Sequence, residues 1–304
     1  MKLASLDLNL LVLLDALLDE LNVTKAGDRV GLSQPAASNA LKRLRMALND
    51  PLLEKDGRRL RLTERAHQLK RPLHKALNEV RKALEQGGGF DPETTQPRLR
   101  LFASDHIALV LLPTLQRHIA LRSSKAEIVV HWEQGQRAVE LLETGTVDLA
   151  IGRYYNMPDA IRRATLYEEK LVILARRDHP LFRKKITAAR FSSYPRIATS
   201  FDGRIFGDQE QAIARAGMDV KASIVLPHLI AAPLLTLGTD FITIAPLKMA
   251  ERLSEIVSLD WRDLPFAASP VPIEMLWHEN SAADPALNWF RKVVLEASHE
   301  LAVL

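Results

Sequence analysis

The segment GLSQPAASNALKRLR, from Gly31 to Arg45, carries the residues whose types and spacing most clearly indicate a chemistry. Its middle offers only the short polar side chains of Ser38 and Asn39, and its end is basic. A helix that faces only water normally presents longer charged side chains along its outer face. Short polar groups followed by cations are instead typical of a helix that approaches base edges and phosphates. The segment therefore predicts a helix that enters a groove of DNA.

Composition narrows the class of protein. The chain has 304 residues, of which 47% are hydrophobic and 26% charged, and these values are typical of a folded protein with two or three domains. Its 41 basic residues outnumber 37 acidic ones only slightly, but the basic excess is concentrated from Lys42 to Lys82, where we expect a polyanion to bind. The lack of cysteine excludes disulfides, thiolate catalysis and cysteine-ligated metal sites.

The apolar stretch near the N-terminus resembles a secretion signal only superficially. Asp7, Asn9, Asp15 and Asp19 interrupt it, and no cleavage site of small residues follows. No apolar run approaches the roughly 20 residues that are needed to span a bilayer. We therefore expect a soluble, cytoplasmic protein with no membrane partner.

Three predicted helices and a hairpin include the basic segment. Leucines at helical spacing over residues 10–21 predict a first helix that ends at Asn22. Thr24 is expected to cap a short second helix, and Ser33 is expected to cap the third. The sequence LLEKDGRRLRLT then places Asp-Gly between two β-prone runs and predicts a hairpin, or wing. Residues 1–63 are therefore expected to form a winged helix-turn-helix.

A long helix is predicted over residues 64–86. Pairs of apolar residues seven positions apart, among them Leu77 and Leu84, give it a stripe that needs a partner. Packing within the same subunit is one interpretation, and pairing with a second subunit is the one we favour. Pro72 is expected to kink the helix near its start. Glycines at 87–89 end the helix, and the polar segment DPETTQP is interpreted as a hinge.

Strand-like and helical runs alternate beyond Arg98. LRLFAS, EIVVHW and VDLAIG are separated by helices, which predicts a βαβαβ unit with a parallel sheet. KLVILA, RIAT, ASIVL and FITIA form a second set, and PIEMLWH with a final helix closes the chain. The predicted organisation is a DNA-binding domain at residues 1–63, a linker at 64–89, and a two-lobed domain at 97–304, with lobe I at 97–168 and 271–304 and lobe II at 169–270.

Polar side chains follow several of these strands. Ligands of open α/β sheets bind at the carboxyl ends of the strands, where helix N-termini present free N–H groups. A small molecule between the lobes is therefore expected to contact Ser104, Asp105, His106, Arg153, Thr199, Ser200, Phe201 and His228. Arg153 can pair with a carboxylate, and Phe201 can supply an apolar wall, so an organic anion is favoured. A simple helix cap accounts for Ser104 nearly as well.

No catalytic or metal-binding motif accompanies these residues. The sequence has no Gly-x-Ser-x-Gly, phosphate-binding loop, Gly-x-Gly-x-x-Gly or His-Glu-x-x-His pattern, so we predict neither an enzyme nor a bound metal or cofactor. The main alternative is an α/β enzyme or small-molecule-binding protein with a fused helical domain, which would need neither the basic wing nor the capped helix. A DNA-binding protein without a ligand is a third interpretation.

Three segments carry a resemblance to a known family: DLNLLVLLDALLDELNVTKAG, LSQPAASNALKRLR and DPLLEKDGRRLRLTERA. In order and spacing they resemble the DNA-binding part of LysR-type transcriptional regulators, closest to the branch with nodulation and aromatic-degradation regulators. Weaker matches such as VDLAIG, RRDHPLF and DPALNWFR extend the resemblance over nearly the whole chain. It implies an α/β protein with a winged helix-turn-helix, a long linker helix that dimerises, and a two-lobed effector domain like periplasmic binding proteins.

The same resemblance implies partners and residue roles. Members of the family form homodimers or homotetramers that bind interrupted palindromes beside promoters and influence RNA polymerase. The third helix would be the recognition helix, with base contacts from Gln34, Pro35, Ala36, Ser38 and Asn39. Phosphate and flanking contacts would come from Thr24, Ser33, Lys42, Arg43, and the wing residues Arg58 and Arg59.

The chain departs from the family pattern at two positions. Gly27 stands where the family usually has alanine, and a glycine inside a helix indicates close packing. Asn39 stands where arginine is frequent, which favours adenine over guanine in the DNA site. In addition, Glu54 and Asp56 lie beside the wing arginines, and we expect them to weaken the contacts of the wing with phosphates.

Overall fold

The computed structural model of the protein describes residues 7–56, 59–85, 90–123, 125–132, 137–200, 208–218, 220 and 222–303. The chain divides into two compact units. The first comprises Met1–Gly89 with Glu143–Thr146, and the second comprises Phe90–Leu142 and Val147–Leu304. Among the described residues, no helix combines the length and apolar character needed to cross a membrane.

The N-terminal unit is a winged helix-turn-helix followed by a long helix, as predicted. Its elements are α1 (Asn9–Glu20), α2 (Val23–Arg29), α3 (Gln34–Leu48), β1 (Leu53–Asp56), β2 (Arg59–Leu62) and α4 (Glu64–Glu85). Leucines of α1 and α3 share one core, in which Leu13, Leu17 and Leu44 are almost completely buried. The two strands pair in antiparallel fashion with Leu53 opposite Leu62, which confirms the predicted hairpin.

The ends of the first two helices differ from the prediction. Helix α1 ends at Glu20, where Leu21 takes a left-handed conformation with φ of 49°. Helix α2 is capped by Asn22, whose side chain accepts a hydrogen bond of 3.1 Å from the N–H of Lys25. The predicted cap at Thr24 is wrong, because Thr24 lies inside the helix. Asparagine and threonine are both good caps, and the pattern alone did not separate them.

One carboxylate joins α3, the wing and α4. Asp50 Oδ1 accepts hydrogen bonds of 2.7 Å from the Leu52 N–H and from the Thr63 hydroxyl. Thr63 Oγ1 in turn accepts a bond of 3.1 Å from the N–H of Ala66, which caps α4. Asp50 and Thr63 therefore fix where the long helix leaves the winged domain.

The first half of α4 belongs to the winged domain. Leu69 and Leu73 pack against the core of the three preceding helices, and Ala66 is fully buried there. The Nδ1 atom of His74 lies 3.1 Å from Asp15 Oδ1 on α1. This part of the predicted apolar stripe therefore has its partner within the same chain, which was the less favoured interpretation.

The second half of α4 is different. Val80 is 56% exposed and Leu84 is 80% exposed, so the described part of this chain leaves most of their apolar surface uncovered. Pro72 lies inside the helix, whose span continues on both sides of it. Gly87–Gly89 lie outside the described residues. In the DPETTQP segment, Asp91 Oδ1 accepts a bond of 3.0 Å from the Glu93 N–H, so the predicted hinge contains a hydrogen-bonded turn.

The described residues of the C-terminal unit form two five-stranded sheets. The first has the order β4-β3-β5-β12-β6 and the second has the order β11-β7-β10-β8-β9. The strands are β3 (Arg98–Ala103), β4 (Glu127–His131), β5 (Leu149–Gly152), β6 (Ile161–Glu169), β7 (Leu171–Arg176), β8 (Arg196–Thr199), β9 (Ala222–Leu226), β10 (Ile242–Pro246), β11 (Leu259–Asp263) and β12 (Val271–His278). The chain crosses between the sheets from β6 to β7 and from β11 to β12.

The predicted parallel βαβαβ unit is confirmed for β3, β4 and β5, but both sheets also contain an antiparallel strand. Strands β3, β4 and β5 are parallel, as are β8, β9 and β10, but β12 runs antiparallel to β5 and β6, and β7 runs antiparallel to β10 and β11. The sequence analysis missed β6 and β11. The first carries the exposed charges of Arg162 and Arg163, and the second reads LDWRD, so neither shows the apolar run of a buried strand.

The α-helices of the described part of this unit are α5 (Asp105–Ala120), α6 (Ala138–Glu143), α7 (Ala188–Ser192), α8 (Asp208–Arg215), α9 (Ala231–Leu235), α10 (Leu247–Ile256) and α11 (Pro285–Val303). Helices α5 and α11 pack on the first sheet, where Leu111 and Phe290 are completely buried. Val110 on the other side of α5 joins a cluster with Leu174 of β7 and Leu253 of α10. Helix α5 therefore contributes to the cores of both lobes.

Candidate nucleic-acid interface and ligand cleft

The outer face of α3 carries most of the predicted DNA contacts. The inner face is buried through Ala37, Leu41, Leu44 and Leu48. The opposite face consists of exposed residues that run from small and polar to basic: Gln34, Pro35, Ala36, Ser38, Asn39, Lys42 and Arg43. Because the buried stripe fixes the rotation of the helix, the residues predicted for base and phosphate contact all face solvent.

Residues beside α3 complete this face. Ser33 precedes the helix in an extended conformation, and its exposed side chain makes no capping hydrogen bond. Thr24 is exposed on α2. Arg43 Nη2 lies 3.0 Å from Asp7 Oδ2, an exposed pair that a phosphate can replace at small cost.

The wing is described only in part. Arg58 lies outside the described residues, and Arg59 begins β2 without a described side chain. Glu54 Oε2 pairs with Arg61 Nη2 at 3.2 Å, directly across the two strands. Glu54, which we expect to weaken the contacts of the wing with phosphates, therefore pairs with Arg61. The sequence analysis did not single out Arg61.

Gly27 holds α2 close to α3. A Cβ atom at this position would lie 3.0 Å from the Cβ of Ala37 and 3.0 Å from the carbonyl oxygen of Leu32. Neither neighbour is the end of a flexible side chain, so the two helices would have to separate to admit a larger residue. The close packing that the glycine indicated is therefore present.

Replacing Gly27 with valine is expected to destabilise the N-terminal unit by about 2 kcal/mol or more, because the added methyl groups overpack the contact with α3. Gly27→Ala is the control, since its gain of about 1 kcal/mol in helix propensity offsets part of a smaller clash. Hydrogen exchange of the amides of α1 and α3 in the full chain measures both effects. Unchanged protection in the valine variant would contradict the assignment.

The predicted cleft residues lie where the strands of each sheet end. Ser104 to His106 follow β3 and open α5, and Arg153 follows β5. Thr199 ends β8, Ser200 follows it, and His228 lies shortly after β9. Phe201 lies outside the described residues.

Ser104, Asp105 and His106 form one hydrogen-bonded group. Ser104 is 7% exposed, and its Oγ lies 2.8 Å from the Nδ1 atom of His106, so its hydroxyl does not cap the helix. Asp105 Oδ1 accepts a bond of 2.8 Å from the N–H of His106. Asp105 Oδ2 accepts a bond of 3.1 Å from the N–H of Ile230, which immediately precedes α9 in lobe II. Helix N-termini at strand ends were expected in general to offer N–H groups to a ligand, and here the protein's own carboxylate occupies one of them.

His106 and Arg153, two of the residues predicted to line the cleft, differ in charge. Burial lowers the pKa of His106 to about 4, against the opposing effect of Asp105, so its ring is neutral near pH 7. His106 can therefore give a ligand a hydrogen bond but no positive charge. Arg153 supplies a permanent positive charge, and its guanidinium lies over the ring of Tyr155 at 4.7 Å.

Two aromatic residues at the same strand ends escaped the sequence analysis. Trp132 follows β4, and its ring centroid lies 5.6 Å from that of Phe102. Tyr154 follows Arg153 and packs in the same cluster as Trp132. The topological rule that selected Arg153 applies equally to both. They were missed because aromatic residues beside a strand are most often part of the core.

One cluster of possible metal ligands has an internal explanation. Asp15, Asp19 and His74 could together offer three metal ligands, but Arg29 and Lys70 each lie within 3.1 Å of an oxygen of Asp19. These contacts form an ion network that links α1, α2 and α4, and they do not favour a metal ion.

A separate open cleft of about 650 Å³ on lobe II is lined by Arg176, Arg177, Asp178, Leu237, Gly238, Thr239, Asp240 and Ser258. None of the predicted ligand contacts lines it.

Similarity to known proteins agrees with this architecture. The model of the LysR substrate binding domain matches residues 92–298, and that of the bacterial regulatory helix-turn-helix protein, lysR family, matches residues 8–67. The HTH-type transcriptional activator NahR of Pseudomonas putida is 31% identical over 97% of this chain and 99% of its own length. Nodulation protein D 1 of Rhizobium tropici is 32% identical over 100% of this chain and 98% of its own length.

A solved structure extends the similarity to the fold. The crystal structure of the probable transcriptional regulator PA0477 from Pseudomonas aeruginosa has a TM-score of 0.77 and 29% sequence identity, and the match covers 96% of this chain and 97% of that one. Family models thus match both the helix-turn-helix and the two-lobed part of the chain. The chain therefore belongs to the LysR family of bacterial helix-turn-helix transcriptional regulators.

Proposed function

We propose that this regulator reads DNA with the outer face of α3 and responds to a small organic anion held between its two lobes. The observation that carries the proposal is the division of α3 into a buried inner face and an exposed outer face that ends in cations. Small side chains let a helix lie deep in the major groove, and the cations at its end are placed for phosphates.

The proposed roles divide by chemistry. Gln34, Ser38 and Asn39 hydrogen-bond to base edges, while Pro35 and Ala36 contact thymine methyl groups. Contacts to phosphates and the flanking DNA come from Thr24, Ser33, Lys42, Arg43, Arg58 and Arg59. The phosphate contacts supply most of the affinity, and the base contacts supply the discrimination.

The proposed working form is a cytoplasmic homodimer or homotetramer on an interrupted palindrome beside a promoter. Its role is regulatory and not catalytic. Effector binding between the lobes changes the equilibrium between subunit arrangements, and this changes DNA geometry and the recruitment of RNA polymerase.

In the effector cleft, Arg153 is the proposed partner of the effector's acidic group. Ser104 and His106 supply uncharged hydrogen-bonding groups on lobe I. Thr199, Ser200 and His228 supply polar groups on lobe II, and Phe201 completes an apolar wall. A neutral His106 fits this arrangement because only one cation then has to lose its hydration.

Fluorescence anisotropy tests the function directly. The full chain is titrated against a labelled DNA fragment from upstream of its own gene and against a shuffled fragment of the same composition, at several salt concentrations. Specific regulation requires tighter binding of the upstream fragment. Equal binding of both fragments would support a DNA-binding protein without specificity, and binding of neither would support the α/β enzyme or small-molecule-binding alternative. A thermal-shift screen of small carboxylates in the same preparation identifies effector candidates.

A further inference from the structure

The two lobes are connected at one side of the C-terminal unit by the crossover strands. Strand β6 forms one edge of the first sheet, and β3 lies beside the opposite edge strand, β4. In the second sheet, the chain enters at β7 and leaves from β11. Strand β9 forms the opposite edge of that sheet. Asp105 and Ile230 therefore follow strands, β3 and β9, that are each separated from the crossover strands of their sheet by at least one other strand.

Contacts of two kinds join the lobes in addition to the crossover strands. The first is apolar, where Val110 of α5 packs with Leu174 and Leu253 of lobe II. Apolar packing is not directional and permits sliding. The second is polar, and it includes the bond of 3.1 Å between Asp105 Oδ2 and the Ile230 N–H and the contact of Lys248 Nζ with the carbonyl oxygen of Leu301.

We propose that Asp105 is a latch that sets the closed spacing of the two lobes, and is not itself a ligand of the effector. The inference rests on the proposed effector cleft. Both carboxylate oxygens are engaged, one with the N–H of His106 on its own helix and the other with the N–H of Ile230 across the cleft. The first bond orients the carboxylate, and the second is a directional, charge-assisted bond that breaks when the lobes separate.

The latch also constrains the effector. The N–H of Ile230 already has an anionic partner, and a second anion beside Asp105 would be repelled by it. An acidic effector is therefore oriented with its negative group away from Asp105 and towards Arg153. Asp105 acts as a positioning residue, because it fixes the distance between Ser104 and His106 on one lobe and the polar groups of the other.

The absence of cysteine makes the spacing directly measurable. Glu127 and Ser223 are exposed residues on the edge strands β4 and β9, and replacing both with cysteine provides two sites for spin labels. The labelled full chain is mixed with an excess of unlabelled chain, so that an oligomer contains one labelled protomer. Double electron–electron resonance without effector and without DNA then reports the distance between the lobes.

Asp105→Ala is expected to shift the distribution to longer distances, with the closed-to-open ratio lowered about tenfold. Asp105→Asn keeps an acceptor oxygen and should restore most of the closed population. Ile230→Pro removes the donor, and φ of −74° at this residue is close to the value that proline requires, so its distribution should follow that of the alanine variant.

Asp284→Ala is the matched control. Asp284 accepts a bond of 3.0 Å from the N–H of Leu287 at the start of α11, so its carboxylate also serves a helix start but stays within lobe I. This variant should lose stability and keep the native distance. Native distances in both Asp105→Ala and Ile230→Pro would overturn the latch. If the alanine variant does not fold, Ile230→Pro and Asp105→Asn decide the question. A protein that binds no effector would refute the proposed function and still yield this measurement.

Discussion

Replacing Val80 and Leu84 together with aspartate is expected to convert the protein into monomers and to weaken binding to a DNA site with two half-sites by at least about a hundredfold. Both side chains are largely exposed on the second half of α4, so aspartate there costs the isolated chain little. In a paired helix the same carboxylates would be buried without partners, which is strongly unfavourable. Loss of pairing also removes the avidity of two linked DNA-binding domains.

Sedimentation velocity measures the oligomeric state, and titration of two-half-site and single-half-site DNA measures the avidity. Lys75→Glu is the control, because it changes the net charge by the same amount as two new aspartates. It lies nine residues before Leu84, on the opposite side of a helix that turns 3.6 residues per turn. The control should remain oligomeric. A folded double variant that also stays fully oligomeric would place the interface outside α4.

The division of α4 into two halves shows why periodicity alone could not assign its partner. Leu73 and Val80 are seven residues apart and belong to the same predicted stripe, yet Leu73 packs on the winged domain and Val80 is exposed. A repeat reports that a face is apolar, and not which surface covers it. The hydrogen bonds that hold the first half of α4 on the winged domain join residues that are far apart in the sequence. They are formed by Asp50 with Thr63 and by Asp15 with His74.

The α/β part was predictable where a strand reads as an apolar run and unpredictable where charged residues interrupt that run. The strands that read as apolar runs, such as LVILAR and ITIAP, were found. Strands β6 and β11 carry charge on an exposed face and were missed. The strands that make the sheets mixed are β12, which runs antiparallel to β5, and β7, which runs antiparallel to β10. The strand ends still located Ser104, Arg153 and Thr199, because the central strands are parallel. The position of strand ends could not show that Asp105 bonds to the N–H of Ile230, since that contact depends on the spacing of the two lobes.

The second large effect is expected on the outer face of α3, where base readout and phosphate binding can be separated. Asn39→Ala should reduce discrimination at one or a few base pairs by about 1–3 kcal/mol, with adenine preference lost there, because an amide can bond to both N6 and N7 of adenine. Lys42→Ala should weaken binding to all sequences alike and lower the slope of log affinity against log salt by about 1. Both residues are exposed, so neither change should disturb the core of the domain.

Selection of binding sites from a randomised library measures the preference of each variant, and salt titrations measure the slope. Lys75→Ala is the matched control for Lys42→Ala, because it removes one exposed positive charge on α4 and leaves α3 unchanged. The control should keep both the native sequence preference and the native salt slope, since a phosphate contact acts only within a few ångströms and distant charges are screened. An Asn39→Ala protein that selects the same sites as the native protein would show that Asn39 does not read a base. Equal loss of slope in the two lysine variants would show that the salt dependence reflects net charge and not the contact of α3 with phosphate.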